Sequence, residues 1–193
     1  MNLKRTSLIL VFLLTLVSLA FAQSSESKRK FKHRGKIETK YDKFKDQTTV
    51  RLNPYYVQGT APKLDPTAGI EITASFVYAG QKLNAPPDIV SFGIVSASAD
   101  AFKYEQDRGL IALVDGERID LGQMEREDAS YKKYPYVISN RYYVETLSAP
   151  IKYELFLKIA NAKIVEMQIG KKEFKLKDEH LEALRDLASR MIP

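Results

Sequence analysis

The sequence predicts an α+β fold: an antiparallel β-sheet or β-sandwich packed by C-terminal helices. Three observations carry that expectation. Between Ile70 and Tyr78, apolar and polar residues alternate with the period of two of a half-buried strand. Asp115-Gly116 separates the runs Leu110 to Val114 and Arg118 to Leu121 and supports the positive φ that a tight hairpin turn demands. Leu181, Leu184, Leu187, Ala188 and Met191 make one apolar stripe at helical spacing, which must bury against something, and a sheet with an apolar face is at hand.

Taken in order, the chain opens with Lys4 and Arg5, a leucine-rich stretch from Leu8 to Leu19, and Ala20-Phe21-Ala22 with small residues where a signal peptidase reads. Residues 1–22 are therefore expected to be a signal peptide, cut between Ala22 and Gln23, which places the mature protein in the periplasm or outside the cell. The competing reading is an uncleaved anchor. Thr6 to Ala22 just reaches the lower limit for crossing a bilayer, and the basic residues beyond it outweigh Lys4 and Arg5. Residues 23–36, with Lys28, Arg29, Lys30, Lys32, Arg34 and Lys36 against Glu26, read as a basic flexible tail. The formal charge of +6 is concentrated there, so residues 37–193, expected to form a single β-rich domain, are near neutral.

Within that domain the predicted strands are Ile37 to Tyr41, Thr48 to Leu52, Ile70 to Tyr78, Asp88 to Ser96, Ala101 to Tyr104, Leu110 to Val114, Arg118 to Leu121 and Tyr142 to Leu147. Asp88 to Ser96 is apolar and β-branched, as in a central strand covered on both faces. Short polar turns between successive strands imply antiparallel pairing. Pro150 suits a first helical turn, with Ile151, Leu155, Ile159 and Ala160 following at helical spacing. Ile164 to Ile169 and Glu173 to Leu176 are strands about a Gly170-Lys171 turn, and the striped helix closes the chain.

The runs Ile159-Ala160-Asn161-Ala162-Lys163-Ile164-Val165-Glu166-Met167-Gln168-Ile169-Gly170, Glu173-Phe174-Lys175-Leu176 and Leu181-Glu182-Ala183-Leu184-Arg185 resemble the carboxyl end of uncharacterised exported bacterial β-rich proteins. The resemblance implies a helix, hairpin and helix arrangement. It implies no biochemical role.

At 45% hydrophobic and 28% charged, the composition excludes wholesale disorder, a collagen-like repeat and a multispanning membrane protein. The chain has no cysteine, so disulfides, thiolate zinc sites, cysteine nucleophiles and lipidation at the cut are excluded. Two histidines, His33 and His180, lack partners at metal-ligand spacing and read as solvated imidazoles. No nucleophile elbow, phosphate loop, dinucleotide fingerprint or calcium loop is present, and no cofactor, metal site or catalytic residue is expected. Asp115 and Glu117 flank a turn glycine as paired acids would, but turn chemistry accounts for Asp115; Glu125, Glu127 and Asp128 form a cluster of the kind that attracts a cation, but such charge runs read as exposed loops.

The stretch of unusual composition is Tyr131, Lys132, Lys133, Tyr134 and Tyr136, followed by Tyr142 and Tyr143. Tyrosines beside lysines stack on sugar rings and hold anionic groups, so Tyr131 to Tyr136 is the candidate ligand or partner surface; tyrosine is equally a favoured strand residue. The expected partner is an envelope protein or a glycan and not nucleic acid, with weak contact of the basic tail on anionic surfaces. The sequence thus points to an exported, non-enzymatic binding or assembly module. The alternatives are a hydrolase or small-ligand enzyme whose carboxylates converge only in the fold, and adsorption through the basic tail.

Overall fold

The computed structural model describes residues 31–59, 68–99, 101–133 and 141–193, with the backbone alone at 59, 68, 131–133 and 141–142. Ten strands, β1 (Ile37–Asp42), β2 (Gln47–Gly59), β3 (Ala68–Ala79), β4 (Ile89–Ser98), β5 (Gly109–Val114), β6 (Glu117–Gln123), β7 (Glu125–Lys133), β8 (Arg141–Lys152), β9 (Val165–Ile169) and β10 (Lys172–Leu176), are joined by two helices, α1 (Tyr153–Asn161) and α2 (Asp178–Ser189). The strands form a six-stranded sheet in the order β1-β2-β3-β4-β8-β7 and a four-stranded sheet in the order β10-β9-β5-β6. Every pairing is antiparallel.

Alternation decides which side of the six-stranded sheet is buried. Ile70, Ile72, Ala74 and Phe76 of β3 line up with Val90, Phe92 and Ile94 of β4 and with Leu147, Ala149 and Ile151 of β8, all buried on one face. Against them come Phe156 and Ile159 of α1, Leu181, Leu184 and Leu187 of α2, and Leu110, Ala112, Val165, Met167 and Ile169 of the smaller sheet, so both sheets and both helices share one core. Each fully buried Leu, Ile or Phe contributes about 1.5–3 kcal/mol. The opposite face carries the half-buried Ser75, Ser91, Val95 and Ala97, with Gly93 buried among them. Gly93 is required there. A Cβ on it would lie 2.5 Å from Thr73 Cγ2 and 3.2 Å from the Leu147 carbonyl oxygen.

Proline positions follow hydrogen-bonding need. The β2–β3 register shifts between Leu52 and Tyr55, around Pro54, which has no N–H to offer a ladder. Pro150 lies within β8 opposite Ser91, and not in the first turn of a helix; β7 accompanies β8 only as far as Ser148, so the strand has a free side there. Ile151 accordingly faces the core from β8, and α1 begins at Tyr153. The expected strand from Ala101 to Tyr104 is irregular backbone, because Glu145 captures its N–H groups in place of a neighbouring strand. Conversely, Glu125 to Asp128 is not a loop: it starts β7, whose partners on β8 supply the pairing that its charged side chains do not signal.

The polar segment at 31–36 is built into the domain, which gathers as one unit from Phe31 to Pro193. His33 Nε2 lies 3.0 Å from Asp186 Oδ2, the Arg34 N–H donates to the Tyr55 hydroxyl at 3.3 Å, and Gly35 sits against Leu52, Tyr55 and Ala183. Residues 31–36, expected to belong to the flexible tail, are docked chain, since these groups find partners on β2 and α2. Among the described residues no helix is long and apolar enough to cross a membrane.

Candidate functional site

The strand ends decide where a site can form. At the end of the six-stranded sheet where β4 finishes, the crossing segment from Ala101 to Arg108, leading into β5, borders with the β9–β10 turn an open cleft of about 1000 Å³. Gln58 and Ile70 line it from β2 and β3, Ser96 and Ser98 from β4, and Phe102 and Tyr104 from the crossing segment, with Lys103, Asp107, Lys171 and Lys172 around them.

Glu145 holds this arrangement. It occupies an inward position of β8, opposite Ser96, and is only 1% exposed. Its Oε2 accepts the Lys103 N–H at 2.6 Å, its Oε1 accepts Arg126 Nη2 at 2.8 Å, and the Tyr104 N–H reaches both oxygens at 3.4 Å. A buried carboxylate persists only with such partners, so the charge that would destabilise an apolar core here fastens the crossing segment to the sheet. The Arg126 guanidinium also lies 5.6 Å from the centre of the Phe102 ring, which meets the Tyr143 ring edge-on at 5.1 Å. Burial pushes the Tyr104 phenol above its ordinary pKa, with Glu145 adding to the effect and the hydrogen bond to Ser96 opposing it. The cleft is thus lined by hydroxyls and an aromatic ring on a prefastened backbone. It can bind and orient a ligand.

The sequence-derived candidates fall unevenly around it. Tyr131, Lys132 and Lys133 lie on β7, and the register sets Tyr131 across from Tyr143, at the same end of the sheet as the cleft. Tyr134 and Tyr136, like the cleavage pair Ala22 and Gln23, lie outside the described residues. Asp115 and Glu117 do not converge as paired acids: Asp115 Oδ1 accepts the N–H groups of Lys163 and Ile164, while Glu117 pairs with Lys158 at 2.7 Å. Among the described residues no cluster of three or more acidic or histidine side chains is placed to hold a metal ion.

Both histidines depart from the solvated reading. His33 is largely covered and paired with Asp186. His180 is buried, its Nδ1 accepting the Lys177 N–H at 2.9 Å and its Nε2–H donating to the Tyr56 carbonyl at 3.0 Å, so it ties the start of α2 to β2 in the neutral form. Burial lowers its pKa.

Glu145 went unpredicted, although a signal for it exists. In β8 it shares the alternation of Leu147, Ala149 and Ile151, and a lone acid in the inward phase of an apolar strand marks a buried charge with a partner elsewhere. No protein-family model, curated protein or solved structure matches the chain.

Proposed function

We propose that the protein is an exported, non-enzymatic binding module of the bacterial envelope, which takes an envelope protein or glycan at the cleft end of its six-stranded sheet. The observation that carries this reading is the cleft of about 1000 Å³ with its segment fastened to the sheet by Glu145. Its size meets the upper range of ordinary ligand sites, and preformed walls reduce the ordering cost of binding. Lys171 and Lys172 stand beside Glu105 and Asp107, a rim of mixed charge suited to a polar partner, and the tyrosine-bearing end of β7 extends the same side of the molecule. A hydrolase reading needs a carboxylate free to act in the cleft. Glu145, the buried one beside it, has both oxygens engaged, which leaves Glu105 and Asp107 on the rim as the carboxylates that reading would have to use.

A photo-crosslinking residue placed at Gln106, beside the cleft, tests this in the native envelope. A reproducible adduct of defined mass is expected, absent when the residue is moved to Glu154 beyond the far end of β8 and abolished when Ala99→Trp fills the cleft mouth. Equal adducts from both positions, or none from Gln106, would overturn the assignment.

A further inference from the structure

We propose that the turn between β1 and β2 is an anchor for anionic bilayers, with Phe44 entering the membrane interface between Lys43 and Lys45. Phe44 is 90% exposed. A large ring so placed gains nothing for the fold, yet the backbone beneath it is firmly built. Asp42 Oδ1 accepts the N–H groups of Phe44 and Lys45 at 2.9 and 3.3 Å. The Tyr41 hydroxyl donates to Asp46 Oδ1 at 2.8 Å, and the Gly80 N–H donates to the Asp46 carbonyl at 2.8 Å, tying the turn to the β3–β4 connection. The ring is therefore held outward by structure and not by lack of it.

Its surroundings fit one occupant. Val77 and Ile89, exposed at 42% and 47%, lie at this same end of the sheet, and the β3–β4 register continued by two residues sets them opposite each other. Lys40, Lys43, Lys45, Lys82 and Lys152 are all exposed around them. Asp42, Asp46, Asp88 and Glu154 stand at this end too and keep their charges, so the positive excess is small and lies in Lys43 and Lys45, which flank the ring itself. Lys43 Nζ stands 5.1 Å from the Phe44 ring centre. A lysine alongside an immersed ring keeps its ammonium among the headgroups, so apolar insertion and attraction to anionic lipid act together. This end lies at the opposite end of β4 from the cleft, separated by roughly 30 Å of strand. An anchored molecule would present the cleft away from the bilayer, and the anchor does not depend on what the cleft binds.

The chain contains no tryptophan, so Phe44→Trp supplies a single reporter indole at an exposed position that leaves the core untouched. Full chain from its own host is mixed with vesicles of phosphatidylcholine and phosphatidylglycerol. The emission is expected to shift to the blue and to be quenched by brominated acyl chains, whereas Ile192→Trp, also exposed, does neither. Lys43→Gln and Lys45→Gln in the Phe44→Trp background are each expected to raise the lipid needed roughly fivefold. Emission unmoved at lipid excess, equal quenching at Ile192→Trp, or a blue shift produced by soluble envelope proteins and not by vesicles would each overturn the proposal.

Discussion

Replacing Glu145 by Gln probes the fastening on which the cleft depends. Donors converge on both carboxylate oxygens: the Lys103 N–H on Oε2, Arg126 Nη2 on Oε1, and the Tyr104 N–H on the pair. Glutamine offers one acceptor oxygen, so its NH₂ must face a donor whichever way the amide is turned. The loss comprises one charge-assisted hydrogen bond, about 1.5–3 kcal/mol, and a buried donor left unsatisfied, about 1–3 kcal/mol. Arg126 keeps 25% of its side chain in water and recovers part of this, which brings the expected destabilisation to about 2–4 kcal/mol. For a domain of this length that is roughly 5–15 °C in Tm. Urea unfolding followed by circular dichroism measures it, and amide hydrogen exchange at Lys103 and Tyr104 locates it. Exchange there should accelerate more than at Ile94 in the sheet interior. A loss below about 1 kcal/mol with unchanged protection at Lys103 would refute the argument that Glu145 holds the crossing segment. Pairing Glu145→Leu with Arg126→Met should recover only the part of the loss due to the unpaired guanidinium, because the Lys103 and Tyr104 N–H groups still lack their acceptor.

Two further outcomes follow from single contacts. The folded pKa of His180 lies below its ordinary 6.5, because burial disfavours the imidazolium and Nδ1 must accept the Lys177 N–H. The unfolded chain therefore takes up the proton first. The His180 contribution is complete above about pH 6.5 and is lost as pH falls toward the folded pKa, by at most ~1.4 kcal/mol per pH unit. Urea titrations at several pH values should show that slope in the parent chain and its disappearance in His180→Gln; equal slopes would remove the assignment. At Gly93, substitution by Ala drives a methyl against Thr73 Cγ2 and the Leu147 carbonyl and should cost about 1–3 kcal/mol. Most of this should return in a Thr73→Ser background, which removes Cγ2 while keeping the hydroxyl that donates to the Leu52 carbonyl at 2.6 Å. If Thr73→Ser gives no relief, the crowding lies at the backbone oxygen instead.

What was legible in the sequence is what local periodicity encodes. The alternation from Ile70 to Tyr78 became β3, Asp115-Gly116 became a turn with φ of 50° and 87°, and the stripe from Leu181 to Leu187 became the buried face of α2. In each case a residue's own backbone preference agrees with the surface it must cover, so a few neighbours suffice to reveal the element. The errors arise where a distant partner outweighs that preference. Ala101 to Tyr104 has strand-like residues, but its N–H groups are captured by a carboxylate 41 and 42 positions away. Glu125 to Lys133 has few apolar residues, but β8 provides a ladder beside it. His33 reads as a solvated residue until Asp186 arrives 153 positions later.

The class of fold, its antiparallel pairing and the helix that closes its core were thus determined by the sequence itself, through patterns a few residues long. The cleft beneath the crossing segment and the outward ring of Phe44 were decided only by tertiary structure. A cleft is a relation among the ends of several strands, and exposure is a relation between one side chain and everything that fails to cover it. Neither quantity exists until the chain has closed on itself.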